Sequence, residues 1–218
     1  MKRYLLVILL WFTACAPASP ASTPAPVSVY ATAAAQPWLS KLYDCGARQA
    51  VVVRLADTPS AADIVLRLGE PADLSTPAYQ IDGEDVLVVV NPARGSAGLS
   101  AEQVRGLFSG QIGDWGQIDP SKTGSVQVWV FAQGEDVEQV FEKTLAGSPV
   151  VSNARLATSP AEMISAIAAD PNAIGILSRH WKTADVSEAY VLASAPVLAL
   201  SPSEPIGTVK DLLACVQG

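Results

Sequence analysis

The chain offers few side chains able to do covalent chemistry. His180, in the run Ser178-Arg179-His180-Trp181, is the only imidazole in 218 residues. A Ser-His-Asp arrangement would have to use it, and no Gly-x-Ser-x-Gly elbow supplies the nucleophile. No Gly-x-x-x-x-Gly-Lys loop, EF-hand loop or His-Glu-x-x-His segment occurs. One histidine and three cysteines are too few for a usual tetrahedral Cys/His zinc cluster, so neither metal nor cofactor is expected. Asp82, Glu84 and Asp85 crowd around Gly83, which reads as the turn chemistry of a hairpin. A binding protein is expected, not an enzyme.

The cysteines do different work. Lys2 and Arg3 precede an apolar run, residues 4–14, that ends at Cys15. As a helix it rises about 16 Å, roughly half a bilayer core, so it reads as a secretory signal and not a transmembrane span. Phe12-Thr13-Ala14-Cys15 resembles a bacterial lipobox, with Phe12 where leucine is usual; the resemblance implies cleavage after residue 14 and a lipid on Cys15. Residues 16–26 contain only Ala, Pro, Ser and Thr and suit an extended, semi-rigid tether. Export leaves Cys45 and Cys215 as an even pair in an oxidising compartment. Cys45 shares a helical face with Trp38 and Leu42, and Cys215 borders the stripe of Val209, Leu212, Leu213 and Val216. They are expected to be bridged, first helix to last; the alternative is a pair of buried free thiols.

The elements that must position any site alternate. Strands are expected at 27–31, 51–56, 64–68, 85–91, 127–132 and 173–178, with extended stretches at 150–157 and 190–200. Helices are expected from Pro37 through Cys45, after Ser100-Ala101-Glu102-Gln103, over 135–145, after Ser159-Pro160-Ala161-Glu162, and over 208–216. The two serine-led starts are capping-box patterns, in which paired side chains satisfy orphan amides. Strands interleaved with helices imply an α/β fold with mainly parallel pairing. Half the residues are hydrophobic, enough for one compact unit or two small lobes with a real core. The net charge of −7 becomes −9 without Lys2 and Arg3, which disfavours nucleic acid as a partner.

Residues 98–118, GLSAEQVRGLFSGQIGDWGQI, carry a resemblance. Leu99, Ser100, Glu102, Gln103, Leu107, Phe108, Gly110, Ile112 and Trp115 match the signature of the phosphate-type periplasmic solute-binding proteins, "Leu-Thr-x-Glu-Gln-Leu, Ile-Phe-x-Gly, Ile-x-x-Trp". Residues 81–92 and Ala173-Ile174-Gly175 are similar to that family's strands into and out of its second lobe, with Ile176 where a tyrosine usually follows. The resemblance spans roughly residues 27–218. It implies a two-lobe, type 2 periplasmic-binding-protein fold of mainly parallel sheets flanked by helices, with the ligand cleft between lobes. Residues 27–91 plus 180–218 would form lobe I and 92–179 lobe II, with crossovers near Asn91-Pro92 and 178–181. The implied protein is a monomeric, membrane-anchored solute-binding component of an ABC-type transporter. The alternative is a non-transporting sensor or scaffold lipoprotein with a vestigial pocket.

The family's binding residues transfer poorly. Its first strand usually ends in a Gly-Ser/Thr turn, and only Thr32 offers a hydroxyl here. Its Ser-Asp pair falls at Arg67-Leu68. Its anion cradle, an arginine ahead of Ser-Gly-Thr, falls on Phe131-Ala132-Gln133-Gly134-Glu135-Asp136, where arginine and hydroxyls are replaced and two carboxylates appear. Phosphate is therefore disfavoured as the small-molecule or ion ligand. Glu135 and Asp136 either line the pocket or simply meet the positive end of a helix dipole. Ligand-site candidates are Thr32, Arg67, Gln133, Gly134, Glu135, Asp136, the helix start at Ser159, and Trp181 as a stacking face.

Overall fold

The computed structural model describes residues 26–95, 98–145 and 148–218. The expected signal, Cys15 and all of the tether but its last residue lie outside the described residues. Strand β1 (Val27–Ala31) leads through a 3-10 turn into helix α1 (Leu39–Gln49), followed by β2 (Val53–Leu55) and β3 (Ile64–Leu68). β4 (Ala78–Val90), α2 (Ala101–Ser109), β5 (Gln127–Phe131), α3 (Asp136–Leu145) and β6 (Arg155–Ala157) come next. The chain closes with α4 (Pro160–Ala169), β7 (Ala173–Ser178), β8 (Ser187–Leu200) and α5 (Gly207–Gln217).

The strands form one eight-stranded sheet in the order β2-β1-β3-β8-β4-β7-β5-β6. Parallel pairing, expected to predominate, is confined to the flanks: β1 with β2 and β3, and β5 with β6 and β7. The centre is antiparallel, because β8 returns along β4 from Ala78 opposite Leu200 to Val90 opposite Ser187. β4 reaches the second flank through Val86–Val90 on β7, and β8 reaches the first through residues 197–200 on β3. The expected crossovers at 91–92 and 178–181 fall just beyond the ends of β4 and β7.

The Asp82-Gly83-Glu84 run is not a hairpin turn. β4 continues straight through it, with Gly83 opposite Pro196 and Glu84 buried. Cross-strand pairing with β8 overrides the turn propensity of these residues. Of the extended stretch at 150–157, only Arg155–Ala157 pairs in the sheet.

Helix ends follow their caps. Ser100 Oγ accepts from the Gln103 amide at 3.2 Å, and Gln103 Oε1 accepts from the Ser100 amide at 2.8 Å. Ser159 Oγ accepts from the Glu162 amide, but Glu162 reaches one residue further back, to the Thr158 amide and hydroxyl. The core lies on both faces of the sheet: all of Val86–Val90 is buried, Phe108 of α2 meets Phe141 of α3 at 4.7 Å between ring centroids, and Met163 and Ile167 of α4 are fully buried. Gly175 of β7 lets α4 close on the sheet, since a Cβ there would meet Met163 Sδ at 2.5 Å. Trp115 of the signature segment is buried, donates to the Asn172 carbonyl at 2.9 Å and carries the Arg94 guanidinium over its ring. Cys45 of α1 and Cys215 of α5 are disulfide-bonded, with Cα atoms 5.9 Å apart. No helix among the described residues is long and apolar enough to cross a membrane.

Candidate functional site

The C-terminal ends of β1 and β3, the start of α3 and the end of β8 enclose a cleft of about 500 Å³. Strand periodicity decides which side chains reach it. Tyr30 and Thr32 alternate with Val29 and Ala31, and Val65 and Arg67 alternate with the buried Ile64, Leu66 and Leu68. Ser60, Thr76, Gly134, Asp136 and Ser201 complete the polar lining. Gly134, at φ 98°, makes the left-handed turn that swings the chain from β5 into α3.

The first turn of α3 brings Asp136 into the mouth of this cleft, where it is 4 % exposed. Its Oδ2 accepts the Thr32 hydroxyl at 2.5 Å and the Leu68 amide at 2.7 Å. Its Oδ1 lies 3.1 Å from the Arg67 guanidinium. Arg67 is fixed further by donating to Gln139 Oε1 at 2.9 Å and to the Gly69 carbonyl at 3.1 Å, while Gln139 donates to the Gly134 carbonyl at 2.7 Å. Burial pushes the Asp136 carboxyl up; the Thr32 hydroxyl, the Arg67 guanidinium and the Leu68 amide pull it back without cancelling the shift. Two residues on, Glu138 is also buried, and its Oε2 accepts from the Phe131 amide at 3.0 Å. Burial, with a smaller push from Glu142, raises this carboxyl to about 7 against the pull of the Phe131 amide.

Four of the sequence candidates therefore meet in one cleft: Thr32, Arg67, Gly134 and Asp136. Glu135 and Ser159 line a separate narrow hollow with Phe131 and Thr158, and Gln133 is exposed beside the turn. Trp181 lies outside the cleft lining, its indole N–H donating to the Ala33 carbonyl at 3.1 Å. His180 also stands apart, with Nδ1 2.6 Å from Glu84 Oε2 and its ring 4.4 Å from that of Trp38. Sequence reasoning missed Tyr30, Ser60, Thr76, Ser201 and Gln139. Of these, Tyr30 alone was accessible to it, as the residue two before Thr32 on the same strand face. No group of three or more His, Cys, Asp or Glu side chains among the described residues is placed to hold a metal ion.

Solved structures with this architecture include a putative phosphate ABC transporter substrate-binding protein with bound phosphate from Clostridium perfringens, at 13% identity and a TM-score of 0.78 over 88% of this chain and 93% of that one. An ABC-type phosphate transport receptor from Vibrio cholerae matches at 17% identity and a TM-score of 0.68, over the same shares. The CcmR regulatory domain of Synechocystis in complex with 2-PG matches at 11% identity and a TM-score of 0.62, over 88% of this chain and 95% of that one. Likeness at such identities is a likeness of fold. No curated protein sequence matches the chain. Residues 81–212, more than half of the chain, match a family model described as a PBP superfamily domain. With that match running from within β4 to within α5 and the cleft at the strand ends, the chain belongs to the PBP superfamily.

Proposed function

We propose that the protein is an extracytoplasmic solute-binding protein, anchored by a lipid on Cys15 and serving as the substrate-binding component of an ABC-type transporter. Residues 27–91 with 180–218 and residues 92–179 act as its two lobes, and it works as a monomer. Its ligand is a small uncharged solute bearing hydroxyl or amide groups, held without catalysis.

One observation carries the choice of ligand: among the described residues Arg67 is the only cation lining the cleft, and Asp136, the only anion there, already neutralises it. What remains is uncharged, with hydroxyls from Tyr30, Thr32, Ser60, Thr76 and Ser201 beside the apolar Val65 and Leu200. Such a lining suits a few directed hydrogen bonds within an apolar wall. Inorganic phosphate is a poor fit, because reaching Arg67 would bring a second anion to about 4 Å from the Asp136 carboxylate already paired with it, where like charges cost on the order of 1–4 kcal/mol between bulk and surface-like dielectrics and offset the attraction to Arg67. The likeness to named substrate-binding proteins of ABC transporters supports the transport role.

A second reading is favoured by the likeness to a regulatory domain: a sensor that reports its ligand to a protein partner without delivering it. A thermal-shift screen of sugars, polyols, amino acids, cations and oxyanions tests the leading reading. A ligand at a hundred times its dissociation constant adds about 2.7 kcal/mol of stability, well within detection. Uncharged polar solutes are expected to shift the transition and phosphate is not. Stabilisation by phosphate alone refutes the ligand assignment, and no shift with any class refutes solute binding.

A further inference from the structure

Three donors from two strands converge on the carboxylate of Asp136: a hydroxyl from Thr32, a main-chain amide from Leu68 and a guanidinium from Arg67. A planar guanidinium beside a hydroxyl and an amide is a recognition set for a free oxyanion, whether carboxylate, phosphate or sulfate. Here an oxyanion already sits on it, supplied by the chain itself from 68 and 104 residues away in sequence. The set faces a cleft with room for a small solute and, among the described residues, with no other charge in its lining. Nothing about local helix chemistry requires this arrangement, since a first-turn aspartate meets the helix dipole equally well with its side chain in water.

We infer that Asp136 is a built-in anion that fills the oxyanion position of the cleft and so sets the specificity of the site against anionic solutes. The inference rests on this cleft being the ligand site, and it deepens the reading of an uncharged solute by naming the residue that enforces it. Removing the carboxylate vacates the position and leaves Arg67 without its counter-charge, so the same three donors become available to an anion from solution.

The test uses inorganic phosphate and formate as probes and two variants. Asp136→Ala empties the position; Asp136→Asn keeps its shape, protects the fold and removes only the charge. Calorimetry should show Asp136→Ala binding phosphate about ten- to a hundred-fold more tightly than the wild type, the gain being that of hydrogen bonds to a charged group, and Asp136→Asn, whose amide still fills the position, gaining less, through the uncompensated Arg67 alone. Formate, the size of the missing group, should raise the melting temperature of Asp136→Ala saturably above a chloride control of equal ionic strength, and leave the wild type unmoved. Adding Arg67→Met to Asp136→Asn should abolish the gain. If Asp136→Ala does not fold, Asp136→Asn decides the matter alone. Folded variants that gain neither phosphate nor formate binding overturn the inference, as does a wild type that already binds phosphate as tightly as they do. Variants that gain oxyanions while the wild type binds no solute of any class would refute the solute-binding reading and leave the role of Asp136 standing. A wild type that binds an uncharged solute, with variants that gain nothing, would do the reverse.

Discussion

Glu138 gives the pH dependence of stability a definite sign. It is 4 % exposed, its carboxylate accepts a hydrogen bond from the Phe131 amide, and burial lifts its carboxyl from an ordinary 4.5 to about 7. The folded protein therefore holds a proton that the unfolded chain has already released in that interval. The stability it contributes is fully present below about pH 4.5 and is lost as pH rises through about 7. The gap corresponds to at most about 3 kcal/mol, and water reaching the exposed turn beside β5 reduces it to roughly 1–2 kcal/mol. Glu138→Gln keeps an acceptor for the Phe131 amide and removes the charge. In urea melts from about pH 5 to about pH 8, the variant should match the wild type at the acid end and exceed it by roughly 1–2 kcal/mol at the alkaline end. Comparing the two proteins at each pH isolates Glu138 from every other titrating group. A difference that stays flat across the range, or that favours the wild type at high pH, would refute this account of the buried carboxylate.

The Cys45–Cys215 bridge closes a span of 170 residues. Replacing both cysteines with alanine should lower stability by up to about 4–5 kcal/mol on the loop-entropy estimate, and identical urea midpoints for the two proteins would show that the bridge does not form or does not matter. Cys15→Ser should leave the precursor uncut or release the protein from membranes. Efficient processing with tight membrane retention of that variant would remove the lipid anchor from the proposal.

Local pattern determined much of this protein. Alternating buried residues in 64–68 and the apolar run at 86–90 mark strands, and the serines at 100 and 159 mark helix starts, because burial periodicity and capping act over three or four residues. The signature at 98–118 is legible for the same reason: a capped helix and the tryptophan that packs its turn are close in sequence. Tertiary structure decided the rest. Asp82, Gly83 and Glu84 have turn composition, yet they form strand because β8, more than a hundred residues later, supplies the ladder. The direction of that ladder made the sheet antiparallel at its centre. Cys45 and Cys215 could be placed on apolar faces from sequence, but a bridge is a distance, fixed only when α1 meets α5. Asp136 shows the difference most sharply. Its position in the first turn of a helix is readable from its neighbours, whereas its charge is neutralised by an arginine 69 positions earlier and its second oxygen is held by the ends of two other strands. A carboxylate's sign is written in its sequence; what it does to a ligand depends on which donors the fold brings within three ångströms of it.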